Sequence, residues 1–150
     1  MKFLGHPIHI MLVHFPAALL PMDLVCYFLF FYTGNTSFAE ASYYAMVGGA
    51  ILGWLAVIFG AFDLLKIPQE NPQIMKTALI HGGINIVIIT AYSVLAFMAY
   101  KQYPNLPEAT MVLLIVKAFL NLSMIAGNWF GGNLILKYEV GVETNNYVND

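Results

Sequence analysis

The chain has 150 residues, 60% of them hydrophobic and only 9% charged, with a mean hydropathy of +0.74. A soluble domain is about a quarter charged, so this composition excludes an ordinary water-exposed surface and points to an integral membrane protein. The net charge is −2 and all six cationic residues are lysine, which leaves no nucleic-acid footprint; the lone Cys26 excludes an internal disulfide, and the lack of a CxxCH motif excludes a thioether-attached c-type haem.

Four apolar segments follow one another, at Ile10 to Tyr32, Ala39 to Leu65, Thr77 to Tyr100 and Ala109 to Leu136. Each exceeds the ~20 residues a helix needs to cross the hydrocarbon core, and none shows the alternation of barrel strands. With their flanks they predict helices at about 8–32, 39–66, 75–101 and 108–138. The expected fold is all-α: an antiparallel four-helix transmembrane bundle forming a single domain over residues 1–150, with no low-complexity segment and no obvious internal repeat.

The first helix opens in "GHPIHIMLVHFP", which holds His6, His9 and His14, three of the four histidines. Its apolar run is too long for a signal peptide, is interrupted by His14 and Asp23, and is followed by no small-x-small cleavage site, so it reads as a mature helix. Pro16 and Pro21 each remove a backbone donor and predict bends. The turn cluster "TGNTS" leads to the second helix, where Gly49 and Gly53 match the small-xxx-small pattern of close helix packing and Gly60 lies near the end. "IPQENPQ" separates it from the third helix, which carries His81, Gly82 and Gly83. "KQYPNLP" precedes the fourth, with Lys117, Asn121, Gly127, Trp129, Gly131 and Gly132, and "EVGVETNNYVND" is a polar tail. Tyr32, Tyr43, Tyr44, Tyr100 and Tyr103 form one aromatic boundary; Trp129 and Tyr138 anchor the other, Trp129 serving also as a wall of any pocket there.

Lysine placement sets the expected orientation. The N-terminus, second loop and C-terminus share Lys2, Lys66, Lys76 and Lys137, against Lys101 alone on the opposite face, so both termini are expected to be cytoplasmic. All four histidines then lie in the cytoplasmic leaflet. Counted from Ile10 and Thr77, His14 and His81 are each about 6 Å deep, and imidazoles at matched depth on two helices can meet in a bundle core. Ionisable residues inside a membrane usually have a purpose. The expectation is one haem b held non-covalently, its iron bound by His14 and His81, with His6 and His9 at the rim. Gly82, Gly83 and Gly131 would make room for the flat macrocycle, although close helix packing explains the glycines equally. Interfacial histidines bonded to lipid head groups or backbone are the competing reading.

Two charges lie deeper. Asp23 is ~20 Å from the cytoplasmic face and Lys117 ~18 Å by helical rise, and each alone would cost ~2.5–3.5 kcal/mol on insertion scales. They are expected to form an intramembrane ion pair, making helices 1 and 4 neighbours and placing Asn121 in hydrogen-bonding reach. A proton or ion path through these groups is the other reading.

"HPIHIMLVHFPAALLPMDL", "GAFDLLKIP", the histidine of helix 3 and "GNWFGGNLILKYEVGV" together resemble the bacterial membrane family called domain of unknown function 2231, across most of the chain. The match departs at Ile10, where that family often has proline, and Pro7 after His6 supplies one instead. The resemblance implies a multi-pass protein of the bacterial inner membrane, and an association with c-type cytochrome modules that points to electron transfer. Three functions stay open. One is a haem-bearing electron-transfer or anchor subunit of a respiratory complex, working between quinol and a cytochrome partner and without catalytic activity alone. Another is a metal-handling or transport protein using His6, His9, His14 and Met11. The third is a cofactor-free scaffold for other membrane subunits.

Overall fold

The structure, a computed structural model, describes residues 2–3, 6–67 and 71–140, and of residues 2, 3, 6 and 7 the backbone alone. A two-residue antiparallel ladder, β1 (Lys2–Phe3) with β2 (His6–Pro7), leads into α1 (Ile8–Thr33), followed by α2 (Thr36–Leu64), α3 (Pro72–Tyr100) and α4 (Met111–Leu136). All four helices are long and apolar enough to cross a membrane.

The helix starts differ from those read off the apolar runs because polar caps set them. Asn35 caps α2, its side-chain oxygen accepting from the Ser37 amide at 3.0 Å, and thereby begins the helix at Thr36 rather than 39. Asn71 caps α3 with Pro72 in the first turn, a position where the missing proline N–H is not needed. Thr110 caps α4, and its own amide donates to the Tyr27 hydroxyl at 2.9 Å.

The helices form a ring in which each meets the next. His9 of α1 touches Ala56 late in α2, while Asp23 further along α1 touches Ser42 early in α2, so these two run in opposite senses. His81 with Gly127 and Tyr92 with Asn121 give the same relation for α3 and α4. In lipid no hydrophobic drive holds helices together, and close packing must do so. Gly49 accomplishes this between α1 and α2: a Cβ there would lie 2.5 Å from Leu20 Cδ2. Gly53 admits Ile89 of α3 in the same way. Leu20, Ile88, Ile89, Tyr92, Leu120 and Met124 are at the heart of the core.

Between α1 and α4 the bond is ionic. Lys117 Nζ donates to both carboxylate oxygens of Asp23 at 2.6 Å, and the two side chains are 2% and 0% exposed. The Ser42 hydroxyl donates to the same carboxylate, and the ammonium lies 5.0 Å from the centre of the Tyr27 ring. One turn along, the Asn121 amide donates to the Tyr92 hydroxyl at 2.7 Å and to the Lys117 carbonyl at 2.9 Å. A bidentate pair of this kind offsets most of the cost of removing each charge from water, and breaking it leaves the other charge uncompensated. Asp23→Asn is therefore expected to lower stability by about 3–5 kcal/mol. Asp23→Asn with Lys117→Met is expected to recover much of that loss. Unfolding titrations of both variants in a mild detergent measure the difference.

Candidate functional site

One end of the bundle, where α1 and α3 begin and α2 and α4 finish, encloses a cavity of about 390 Å³ lined by all four helices. Two imidazoles meet across it: the rings of His9 and His81 have centroids 6.3 Å apart and stand at 79° to one another. Each ring is tied to a neighbouring helix through Nδ1. His9 Nδ1 is 2.8 Å from the Ala56 carbonyl of α2, and His81 Nδ1 is 2.8 Å from the Gly127 carbonyl of α4. A carbonyl can only accept, so in both rings Nδ1 carries the hydrogen, which leaves Nε2 with its lone pair as the acceptor or metal-ligating nitrogen.

The glycines explain how a side chain reaches a helical carbonyl at all. In an α-helix the carbonyl of residue i already accepts from the amide of i+4, and the Cβ of i+4 tilts back over that same turn. Four residues beyond Ala56 is Gly60, and four beyond Gly127 is Gly131. A Cβ on Gly60 would lie 2.8 Å from His9 Cε1, and one on Gly131 would lie 2.6 Å from His81 Cε1. The missing side chains are the seats of the two rings, so the room that Gly131 provides is taken by an imidazole rather than left for a flat ligand. Gly82 does border the cavity, and a Cβ there would have nothing within 4 Å, as would one on Gly132; Gly83 is equally open but lies on the exposed side.

The facing pair is thus His9 with His81, whereas the sequence pairs His14 with His81. Counting from the apolar boundaries treats both helices as starting level. The helix bounds place His9 second in α1 and His81 tenth in α3, so with the two rings level α3 begins about eight residues, or ~12 Å, further out. His14 borders the same cavity but is exposed, its Nδ1 donating to the Ile10 carbonyl of its own helix at 2.7 Å. The His6 side chain lies outside the described residues. Trp129 is 72% exposed and faces away from the cavity, so it is no wall of it. At the rim, Asp63 accepts from Lys66 at 2.8 Å, and that carboxylate holds the Lys66 ammonium above the usual lysine range. Asn85, one turn from His81, donates to the His81 carbonyl at 2.8 Å and borders the cavity. Among the described residues no three His, Cys, Asp or Glu side chains converge to hold a metal ion.

Gly60 and the role of His9 were both marked in the sequence by a signal that an apolar reading passes over. "FGAFDLLK" at 59–66 and "FGGNLILK" at 130–137 share Phe, Gly, Leu and Lys at the same places, and His9 and His81 stand at nearly the same interval ahead of them. The bundle contains an internal repeat of two helix pairs, each contributing one histidine and one glycine seat.

A family described as predicted membrane proteins, DUF2231, matches residues 5–144, and the chain belongs to that family. With its four apolar helices it is a membrane protein whose outer surface contacts the lipid bilayer. No curated protein and no solved structure matches it.

The seats make opposite predictions for neighbouring glycines. Gly131→Ala forces the His81 ring off its carbonyl and is expected to destabilise by about 1–3 kcal/mol, the usual penalty of overpacking. Gly82→Ala meets nothing and gains helix propensity of up to about 1 kcal/mol. Thermal unfolding of the two variants in detergent should move in opposite directions.

Proposed function

We propose that His9 and His81 would hold the iron of one haem b, and that the chain is an electron-transfer or anchor subunit of a respiratory complex. It would work in the bacterial inner membrane, with both termini in the cytoplasm, between quinol and a cytochrome partner. The observation that carries this reading is the pair of facing imidazoles, each oriented through Nδ1 by a backbone carbonyl. Two imidazoles that share one metal ion at about 2 Å per nitrogen bond have ring centres about 6 Å apart, and these are 6.3 Å apart. Ligating histidines almost always donate the other ring N–H to a carbonyl or carboxylate, which fixes the tautomer, and both of these do.

The donor count favours haem over a bare ion. A zinc-like site takes four ligands, three or four of them from protein, and two histidines fall short of that. Haem iron draws four nitrogens from its macrocycle and needs two from the chain. The cavity volume lies within the ~300–1,000 Å³ of cofactor sites, and its lining is mostly apolar. Bound there, the group would supply one-electron transfer. The chain's own part is to hold the two ligands, exclude water and keep the surroundings of low dielectric. No further redox motif occurs in the sequence, so electrons must arrive from and leave to other molecules, which is why a quinol and a cytochrome complete the reading. The cytoplasmic orientation rests on Lys66, Lys76 and Lys137 at the histidine end against Lys101 at the other.

Protein purified from membranes in mild detergent is expected to contain about one haem per chain by the pyridine haemochrome assay, as one bis-histidine site allows. His9→Ala and His81→Ala should each remove it, and His14→Ala should leave it in place. Folded wild-type protein without haem, or haem that persists in both of the first two variants, would overturn the assignment.

A further inference from the structure

The ring of helices is closed unevenly. Among the described residues, the hydrogen bonds and the ion pair that tie α1 to α4 are Tyr27 with Thr110, Asp23 with Lys117 and the Leu20 carbonyl with Asn121, from the middle of α1 toward its far end. Toward the histidine end these contacts give way to the cavity, where Gly132 of α4 has nothing within 4 Å. Two polar side chains flank this stretch: His14 on α1 and Asn128 on α4, both exposed and both bordering the cavity. His14 Nδ1 is spent on the Ile10 carbonyl, which leaves Nε2 as a free acceptor. The Asn128 carboxamide, donor and acceptor, has no hydrogen bond among the described residues.

Their depth matters. By helical rise His14 lies ~9 Å from the start of α1 and Asn128 ~12 Å from the end of α4. Each helix has 26 residues, or ~39 Å, and overhangs a hydrocarbon core of ~30 Å by ~5 Å at each end. Both polar groups therefore lie several ångströms below the head groups, where unpaired hydrogen-bonding capacity is expensive.

We propose that the cavity edge between His14 of α1 and Asn128 of α4 is a binding site for a lipid-soluble quinol, one ring hydroxyl donating to His14 Nε2, the other bonded by the Asn128 carboxamide, and the tail left in the bilayer. A flat, uncharged ring with oxygens at its edge matches an apolar slot with polar groups on both sides. A phospholipid does not, because its phosphate belongs at the surface and, among the described residues, the cavity lining offers no lysine and one charged side chain, Asp63. His14 and Asn128 are the exposed polar members of the lining, so the ring sits at the cavity's outer edge and not between His9 and His81; the site rests on the electron-transfer reading for the electron's destination.

The probe is decyl-ubiquinol, kept reduced under anaerobic conditions and titrated into detergent-purified full-length protein, with haem content assayed on the same samples. Saturable binding is expected for the wild type. His14→Leu and Asn128→Leu are each expected to weaken it at least tenfold, with unchanged haem and unchanged thermal stability, and the exposed control Trp129→Phe should bind as the wild type does. Absence of saturable binding to folded wild-type protein, or binding that survives both Leu variants together, would overturn the proposal. Binding that follows this pattern in protein devoid of haem would uphold the site and reject the haem assignment, so the two can fail separately.

Discussion

A polar group inside a bilayer has no water to turn to, and this constraint organises the molecule. Hydroxyls placed along the spans bond within protein: Thr33, Thr77, Thr90, Ser93 and Ser123 each donate to the carbonyl four residues before, and Ser42 donates to Asp23. The same rule draws Lys117 onto Asp23, and at the histidine end both imidazoles bond carbonyls of neighbouring helices. Helical carbonyls retain a second lone pair, and the histidines use it. What distinguishes the histidine site is that a backbone acceptor, and not a carboxylate, orients each ring, so no extra charge has to be placed in the membrane to do so.

The parts of the fold legible in the sequence were those set by the bilayer itself. Span length and the rarity of charge located four helices, and the cost of isolated charge was enough to bring Asp23 and Lys117 together, because a carboxylate and an ammonium at similar depth have few other solutions. The histidine site was less legible. Its residues are apparent as types, but which of His9 and His14 meets His81 depends on how far α3 projects beyond α1. The start of α3 is set by its Asn71 cap and Pro72, in a stretch where hydropathy carries no information. The glycines were visible as well, and their purpose was obscured because Gly53 packing on Ile89 and Gly131 seating a ring look alike in sequence.

The repeat adds a second level of order. Each helix pair supplies a histidine from its first helix and a carbonyl with a glycine seat from its second, so the cavity lies where two similar halves face each other. The halves are not equal. Asn85 bonds the backbone at His81, and the residue at the corresponding place after His9 is Val13. The ion pair has no counterpart in such a scheme, since Asp23 and Lys117 come from different halves and join them.

Because α1 and α4 are fastened at Asp23 and Lys117, that pair is the pivot for any change in the angle between them. His9 lies fourteen residues from Asp23, a lever arm of ~21 Å. A change of about 5° in the angle between the two helices at the pivot displaces the histidine end by about 2 Å, an amplitude natural to helix motions on the microsecond to millisecond scale. The strongest bond in the core thus lies at the pivot, where a small change of helix angle leaves both charges paired.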